Sequence, residues 1–324
     1  EMCIRDSCYA APLPRGLRPG GIAAVTQSGT VCGALGGAAR GIGYSHLIST
    51  GNETDLDTAE ILGWLAEDPA TRVIACFAEG IARPRAFLDG AARCAAAGKP
   101  VILLRAGLSA AGQRMAASHT GALAGSARVF QAFAARCGVV IVDSLDDMLA
   151  AAELCDAFAA RIGPGGLAMM THSGGEASMF LDRCAAAGLA LPDLAPATLE
   201  RLRAALPAIA TPGNPLDVTG VGAVDGEVFR ASLDALLADP GVAMVACMQD
   251  VREGHWVLHQ AARLAAEAAR AQHKPVFLFS NTSRVFDPAL DAILAEGGVP
   301  LVYGTDEAVR AAAAVLAQRR ATPV

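Results

Sequence analysis

A single histidine, in a loop rich in small residues, is the strongest chemical feature of the sequence. His119 lies in the string ASHTGALAG at residues 117–125, within a Gly-, Ser- and Ala-rich stretch that begins at Ala106. A neutral imidazole is available near pH 7, so His119 can act as a nucleophile or carry a proton. A phosphorylated imidazole has a labile N–P bond, which keeps phosphoryl transfer through it reversible. The alternative for an isolated histidine is a capping or surface residue.

One carboxylate follows a buried apolar run at a place suited to orienting that histidine. Glu79 stands in the triplet AEG at 78–80, directly after the run at 73–77. The carboxyl ends of parallel strands are where doubly wound sheets bind ligands. We therefore predict that Glu79 orients the imidazole, with a solvated residue at the strand end as the alternative.

Two equivalent short loops each follow an apolar run and lead into a helical stretch. Small residues there allow backbone N–H groups and hydroxyls to face a ligand, and a helix N-terminus favours an anion such as phosphate. A plain strand-to-helix turn capped by serine is the alternative. The predicted phosphate-binding residues are Ser28, Gly29 and Thr30 in the first loop, and Ser173, Gly174 and Gly175 in the second.

Other polar residues indicate less. The sequence contains neither a G-x-G-x-x-G motif nor a G-x-x-x-x-G-K-[ST] motif, which excludes a standard dinucleotide site and a P-loop. His255 and His259 are four positions apart but have no third ligand nearby, so we interpret them as surface residues and predict no metal site. The string GNPLD at 213–217 indicates a turn, in which Asn214 and Asp217 could line a cleft.

The elements that must position these residues occur twice along the chain. The string GGIAAVTQSGT at 20–30 recurs as GGLAMMTHSGG at 165–175. Three further landmarks recur in the same order: an Asp-Pro pair before an apolar run (68–76 and 239–247), a Lys-Pro pair opening another (99–104 and 274–279), and a Gly-led apolar run (138–142 and 298–302). The chain is therefore an internal duplication.

Each landmark is a short apolar run bounded by Gly or Pro, the pattern of a strand buried on both faces of a parallel sheet. Alanine-rich helical stretches separate the runs, which predicts βαβ units. We predict an α/β protein with two tandem flavodoxin-like, doubly wound parallel-sheet domains at 18–150 and 163–320. Residues 1–17 are expected to be non-native or disordered, because EMCIRDS at 1–7 begins no periodic element and resembles translated adapter sequence.

The two copies differ in length at informative places. Lys99 and Gly138 are 39 positions apart, whereas Lys274 and Gly298 are 24 apart, so copy one carries 15 extra residues there. These residues fall in the loop that contains His119. Copy two has its own extra segment at 194–220, for which the sequence leaves an interface and a cap both open.

Composition excludes several classes of protein. The chain has 324 residues, of which 53% are hydrophobic and 18% charged, so it is not a disordered protein. Its net charge of −6 and lack of a basic stripe argue against nucleic acid and anionic membranes as partners. No uncharged apolar run is long enough to span a membrane. The nine cysteines are scattered without a C-x-x-C motif, which indicates free thiols in a reducing cytosol and hence a cytoplasmic protein.

The stretch at 99–125 resembles the phosphohistidine segment of the NDP-forming acyl-CoA synthetases. These are relatives of succinyl-CoA synthetase and include the ADP-forming acetate–CoA ligases. The most specific part is the string SHTGALAG at 118–125, and the segments 26–30, 78–80 and 213–217 are similar to the family in order and spacing. The resemblance covers nearly the whole chain after residue 18.

The resemblance implies a role for each candidate residue. His119 would be the histidine that is phosphorylated during turnover, and Glu79 the carboxylate that orients it. Ser118, Thr120 and Gly121 would belong to the phosphohistidine loop, and the two serine-containing loops would direct helix N-termini at the phosphohistidine. Acyl-CoA and phosphate would form an acyl phosphate that phosphorylates His119, and the mobile loop would then deliver the phosphoryl group to ADP.

The resemblance also implies substrates and partners. CoA, ATP or ADP with Mg²⁺, phosphate, and a carboxylic acid or its acyl-CoA would be substrates, with no prosthetic group. The family's N-terminal CoA-binding domain and its ATP-grasp domain or subunit would have to come from outside this chain, so we do not expect the isolated chain to complete the reaction. Two alternatives are a ligand-sensing module of a protein acetyltransferase, which the presence of His119 disfavours, and a phosphate- or nucleotide-binding scaffold. The acyl substrate and the oligomeric state stay open.

Overall fold

The structure of the chain is a computed structural model that describes residues 17–38, 42–109, 111–112, 127–282 and 287–318. It divides into two compact units that meet in sequence between Ala159 and Ala160. Each unit contains a five-stranded sheet in which all paired strands are parallel. Within the described ranges, no helix is long and apolar enough to cross a membrane.

The first unit alternates strands and helices. Its sheet has the order β2-β1-β3-β4-β5. The elements in chain order are β1 (Arg18–Thr26), α1 (Gly29–Gly36), β2 (Gly43–Ser49), α2 (Thr58–Leu65), β3 (Val73–Ala78), α3 (Pro84–Ala96), β4 (Val101–Arg105), α4 (Ala127–Arg136), β5 (Val139–Val142) and α5 (Leu145–Phe158).

The second unit has the same strand order. A 3₁₀ turn (Ala159–Arg161) precedes it, and its sheet has the order β7-β6-β8-β9-β10. The elements are β6 (Gly166–Thr171), α6 (Gly174–Ala186), α7 (Pro196–Ala205), β7 (Leu216–Asp217), α8 (Thr219–Val224), α9 (Gly226–Ala238), β8 (Val242–Met248), α10 (Trp256–Gln272), β9 (Val276–Ser280), α11 (Pro288–Gly297), β10 (Leu301–Tyr303) and α12 (Thr305–Gln318).

Both sheets have the second strand at one edge, followed by the first, third, fourth and fifth. This is the flavodoxin-like order, so the predicted fold class is confirmed. The repeated landmarks correspond to the first, third, fourth and fifth strands of each sheet. The edge strands β2 and β7 have no apolar signature, because β2 is mostly half-exposed and β7 is only two residues long.

The repeated Lys-Pro and Asp-Pro pairs have a structural explanation. The ammonium group of Lys99 donates to two carbonyl oxygens in the segment that ends at Asp68, at 2.8 and 2.6 Å. Lys274 makes the equivalent contacts with two carbonyl oxygens in the segment that begins at Asp239, both at 2.8 Å. Each lysine therefore holds the turn before the third strand against the start of the fourth strand.

The extra segment of copy two completes its sheet and core. Leu202 of α7 and Leu216 of β7 are fully buried among the side chains of the second core, and β7 pairs with β6. The segment therefore supplies the edge strand and a helix of the second unit.

The cysteines that the structure describes are seven free thiols, six of them buried. Burial raises the pKa of Cys247 to about 12 and that of Cys184 to about 11. These thiols pack as small hydrophobic groups, as the sequence predicts.

Candidate functional site

A side chain at the end of β1 holds the loop that follows β3. The amide oxygen of Gln27 accepts hydrogen bonds from the backbone N–H groups of Glu79 (2.7 Å) and Gly80 (3.1 Å). The amide nitrogen of Gln27 donates to the Gly80 carbonyl oxygen (2.7 Å). Since β1 and β3 are adjacent and parallel, both loops leave the sheet at its carboxyl edge. Gln27 thus fixes the backbone of Glu79 beside the loop that begins with Ser28.

The first serine-containing loop both caps α1 and leaves hydrogen-bond donors available. The Ser28 hydroxyl oxygen accepts from the N–H of Val31 (3.3 Å), and the Ser28 N–H donates to the Thr26 hydroxyl (3.0 Å). The N–H groups of Gly29 and Thr30 make no hydrogen bond to the described part of the chain. A Cβ atom built on Gly29 would meet nothing within 4 Å, and the first turn of α1 has no acidic residue. The start of α1 is therefore open and suited to an anion.

An ion pair holds the same β3–α3 loop from its other end. Arg83 Nε lies 2.6 Å from Asp57 Oδ2, and Asp57 is also the N-cap of α2, in a reciprocal capping box with Glu60. The hydrogen bond from Arg83 holds the pKa of Asp57 below its ordinary value. Glu79 is thus carried on a loop that is tethered to α2 at one end and to β1 at the other.

The predicted phosphohistidine loop lies outside the described residues. This applies to His119 and to its predicted neighbours Ser118, Thr120 and Gly121. The contact of His119 with Glu79 stays a prediction.

The carboxyl edge of the second sheet carries a hydrogen-bonded carboxylate. Glu176 accepts from the hydroxyl of Thr171 and from the side-chain amide of Asn281, both at 2.9 Å. Asn281 in turn accepts from the hydroxyl of Thr305 (2.6 Å). The chain of contacts links the ends of β6, β9 and β10. The position equivalent to Glu176 in copy one is Val31, so sequence duplication did not indicate this network.

The two serine-containing loops therefore differ in charge. Ser173 precedes α6, and its side chain makes no capping hydrogen bond. Glu176 lies in the first turn of α6, and a Cβ atom built on Gly174 would lie 3.4 Å from Asp217 Oδ2. Two carboxylates therefore lie at the start of α6, whereas the first turn of α1 has none.

The turn at 213–217 serves the second sheet. The side-chain oxygen of Asn214 accepts from the Met169 N–H (3.1 Å), and its nitrogen donates to the carbonyl oxygens of Leu167 (3.1 Å) and Pro192 (3.0 Å). The amide of Asn214 is thus occupied by backbone groups, and the peptide bond to Pro215 is cis. Of the two residues that the sequence suggested for a cleft, Asp217 is the one that approaches a candidate loop.

His259 is a structural residue, which corrects its interpretation as a surface residue. Its Nε2 lies 2.8 Å from Asp287 Oδ2, and its side chain is only 16% exposed. Asp287 also caps α11 and accepts from the N–H of Gly254 (3.0 Å). Burial raises the pKa of Asp287, but these hydrogen bonds outweigh it and hold the pKa below its ordinary value. Among the described residues, no group of three His, Cys, Asp or Glu side chains is arranged to hold a metal ion.

Gln27 is the positioning residue that sequence reasoning missed. In the sequence, Gln27 is only one residue of a loop of small residues. Its counterpart in copy two is His172, which makes no hydrogen bond to the described chain, so comparison of the two copies does not indicate that Gln27 positions Glu79.

Comparison with known proteins assigns both units. The profile of a family described as "Succinyl-CoA ligase like flavodoxin domain" matches residues 19–155, and that of "Ligase-CoA domain" matches residues 167–322. The two matches together cover most of the chain. The chain belongs to the NDP-forming acyl-CoA synthetase family, as its sequence motifs indicated.

The relatives are named as a CoA ligase subunit and a CoA synthase. The alpha subunit of ADP-forming acetate–CoA ligase II from Pyrococcus furiosus is 34% identical over 312 residues, which is 93% of this chain and 66% of the relative. A trans-feruloyl-CoA synthase from an unknown prokaryotic organism is 37% identical over 235 residues, covering 72% of this chain and 33% of the relative. The chain thus spans just under two thirds of the first relative and about one third of the second.

A solved structure agrees with the fold. The dinucleotide forming acetyl-coenzyme A synthetase 1 of Ca. Korarchaeum cryptofilum, in complex with phosphate and ADP, matches with a TM-score of 0.82 at 27% identity. The match covers 95% of this chain and 66% of that structure.

Proposed function

We propose that this chain is the phosphohistidine-bearing core of an NDP-forming acyl-CoA synthetase. It would interconvert acyl-CoA, phosphate and ADP with a carboxylic acid, CoA and ATP. The observation that carries the proposal is the position of Glu79, whose backbone Gln27 holds beside an open helix N-terminus. The N–H groups of Gly29 and Thr30 at that N-terminus make no hydrogen bond to any residue that the structure describes. The string SHTGALAG and the CoA-ligase relatives support it.

The proposed reaction has three steps. Phosphate attacks the thioester carbonyl, which forms an acyl phosphate and releases CoA. An imidazole nitrogen of His119 then attacks the phosphorus, which breaks the bond to the carboxylate oxygen and releases the carboxylic acid as its anion. Finally, ADP accepts the phosphoryl group and ATP leaves, regenerating neutral His119. Synthesis of acyl-CoA follows the same steps in reverse.

Each residue at the first edge has a proposed task. The Glu79 carboxylate accepts a hydrogen bond from one imidazole N–H, which directs the lone pair of the other nitrogen at phosphorus and stabilises the positive charge that develops on the ring. The N–H groups of Gly29 and Thr30, with the Ser28 hydroxyl, bind the phosphoryl oxygens. Because the fold already holds these donors at the start of α1, they would stabilise the negative charge without reorganisation.

We assign the second loop a similar but weaker task. Ser173, Gly174 and Gly175 would bind phosphoryl oxygens through the start of α6. The nearby carboxylates of Glu176 and Asp217 oppose an anion there, so its affinity for phosphate should be lower than that of the first loop.

The proposal includes partners and substrates that bind elsewhere. CoA, and ATP or ADP with Mg²⁺, would be bound mainly by an N-terminal CoA-binding domain and by an ATP-grasp domain or subunit. The domains of this chain would be 18–150 and 163–320, and the protein would act in the cytoplasm. The acyl group is not assigned.

Phosphorylation of His119 tests the proposal directly. The chain is mixed with an ATP-grasp protein of the family and Mg·ATP, and intact mass is measured at neutral pH. We expect one phosphoryl adduct that is lost in acid, since phosphohistidine is acid-labile, and that is absent from His119→Asn.

His172→Asn is the matched control, because His172 is the histidine of the second loop and should leave the adduct unchanged. An adduct that survives in His119→Asn contradicts the assignment. No adduct on the unaltered chain, with the partner shown to bind ATP, contradicts the ligase and favours a ligand-sensing module.

A further inference from the structure

Arg105 is a half-buried cation at the carboxyl edge of the first sheet. It ends β4, and its Cα is in register with Ala78 on β3, one residue before Glu79. Its guanidinium carbon lies 5.1 Å from the ring centroid of Phe130 on α4. Its Nε is buried and has no hydrogen-bond partner in the described part of the chain, and no described carboxylate forms an ion pair with it.

A buried Nε–H group without an acceptor is unfavourable unless something else binds it. Burial lowers the pKa of Arg105, which means that the charged side chain has lost hydration. Stacking on Phe130 recovers part of that loss. In contrast, Arg83, at the end of the neighbouring β3–α3 loop, is paired with Asp57. A buried donor without an acceptor requires an explanation of its own.

Only one of the two copies has an arginine at this position. In copy two, the residue equivalent to Arg105 is Ser280, which is neutral and fully buried. The cation therefore occurs only in the copy that carries the inserted histidine loop and the Glu79 carboxylate. Because the two sheets have the same strand order, this difference associates Arg105 with the chemistry of the first copy.

We propose that Arg105 binds the phosphate or phosphoryl anion at this edge of the sheet. The inference deepens the proposed function and rests on it for the identity of the anion. A phosphate dianion beside Glu79 would place three negative charges together, and a guanidinium offsets this repulsion. Arginine suits the task because its planar donors match phosphate oxygens. Inorganic phosphate and an acyl phosphate present the same oxygens, so both would be bound.

Binding of inorganic phosphate to the full chain tests the proposal without a partner or turnover. Titration calorimetry should show that Arg105→Gln binds phosphate about 10- to 100-fold more weakly, the range for loss of a charged hydrogen bond. Arg105→Lys should recover part of the affinity, because it restores the charge. Arg93→Gln is the matched control: Arg93 lies in the last turn of α3, pairs with Glu67 at 2.6 Å, and should bind phosphate as the unaltered chain does.

A chemical measurement covers the case in which Arg105→Gln does not fold. Phenylglyoxal modifies accessible guanidinium groups, and peptide mass spectrometry reports the rate at each arginine of the unaltered chain. Phosphate should slow modification of Arg105 at least fivefold and leave Arg93 unchanged. Equal protection at both sites, or none, overturns the proposal, as does an unaltered chain that binds no phosphate at millimolar concentration.

The phosphohistidine assay separates this inference from the proposed function. If the unaltered chain and Arg105→Gln both form the adduct at the same rate and bind phosphate equally, the proposed function stands and the role of Arg105 is wrong. If no adduct forms on the unaltered chain but phosphate binding still depends on Arg105, the ligase is wrong and the anion site stands.

Discussion

At the carboxyl edge of the first sheet, the uncharged side chain of Gln27 determines the position of the Glu79 backbone. Glu79 follows a strand, and nothing in its own triplet determines where its backbone lies. Three hydrogen bonds with the side chain of Gln27 do so, because a primary amide can accept from two N–H groups and donate to a carbonyl at once. Such residues affect catalysis through the group that they position.

The first prediction concerns this residue. Gln27→Ala removes all three hydrogen bonds and leaves two half-buried N–H groups without their acceptor, so the Glu79 loop should lose its fixed position. We expect the rate of phosphohistidine formation to fall by about 10- to 100-fold and the free energy of unfolding to fall by roughly 1–3 kcal/mol. Quench-flow and denaturant unfolding measure the two effects.

The control for Gln27→Ala is His172→Ala, at the equivalent position of the second loop. Since His172 makes no hydrogen bond to the described chain, we expect its rate and stability to stay close to those of the unaltered chain. Equal losses in both variants would mean that the contact between Gln27 and the Glu79 loop is unimportant.

At the scale of elements, the N-terminus of α2 also determines where the β3–α3 loop lies. Asp57 caps α2 and pairs with Arg83, so a single carboxylate joins a helix start to the loop that carries Glu79. The two features reinforce each other, because the charge that favours the helix start also attracts the arginine.

The second prediction is a pH dependence of this element. The folded pKa of Asp57 lies below its ordinary value of 3.8, so its stabilising contribution is complete above about pH 4 and is lost as pH falls through the lower, folded value. Asn keeps the cap but loses the ion pair with Arg83, so Asp57→Asn should cost about 0.5–1 kcal/mol of unfolding free energy at pH 7. The cost should be smaller near pH 2.5, because the contribution of the charge declines as the pH falls below 3.8 toward the folded pKa. Urea unfolding at both pH values measures the difference.

Ser144→Ala provides an uncharged comparison for Asp57→Asn. The Ser144 hydroxyl caps α5 by accepting from the N–H of Asp147 (3.0 Å), without an arginine partner. Its cost should be similar at both pH values. If the cost of Asp57→Asn does not shrink in acid, then its charge makes no contribution.

At the scale of the whole molecule, the duplication produced two units with separate cores. The first core gathers side chains from β1, β3, β4 and the helices α2, α3 and α4, and the second core gathers side chains of the second unit. Leu103 on β4 and Leu278 on β9 are equivalent residues, and both are completely buried.

The third prediction uses this matched pair. Leu103→Ala and Leu278→Ala should each cost about 2–5 kcal/mol, because each leaves a cavity in a packed core. Hydrogen exchange measured by mass spectrometry should be faster in β1–β5 for the first variant and in β6–β10 for the second. Faster exchange in both units of either variant would show that the two cores do not behave independently.

The sequence by itself determined the class of fold and the family. A strand buried on both faces of a parallel sheet must be a continuous apolar run, so eight of the ten strands were visible as repeated landmarks. The strands β2 and β7 were not visible, because β2 is mostly half-exposed and β7 has only two residues. The histidine string is local in sequence, and for that reason it identified the family without any structure.

Only the tertiary structure decided how the candidate residues are held and charged. Gln27 reaches Glu79 across 52 positions of sequence, and Asn281 reaches Glu176 across 105, so neither contact belongs to a local pattern. The buried Nε of Arg105, which has no hydrogen-bond partner among the described residues, is likewise a property of its surroundings, because the sequence does not show which acceptors are within reach. Contacts between strand ends are set by the order of strands in the sheet, and that order exists only once the chain has folded.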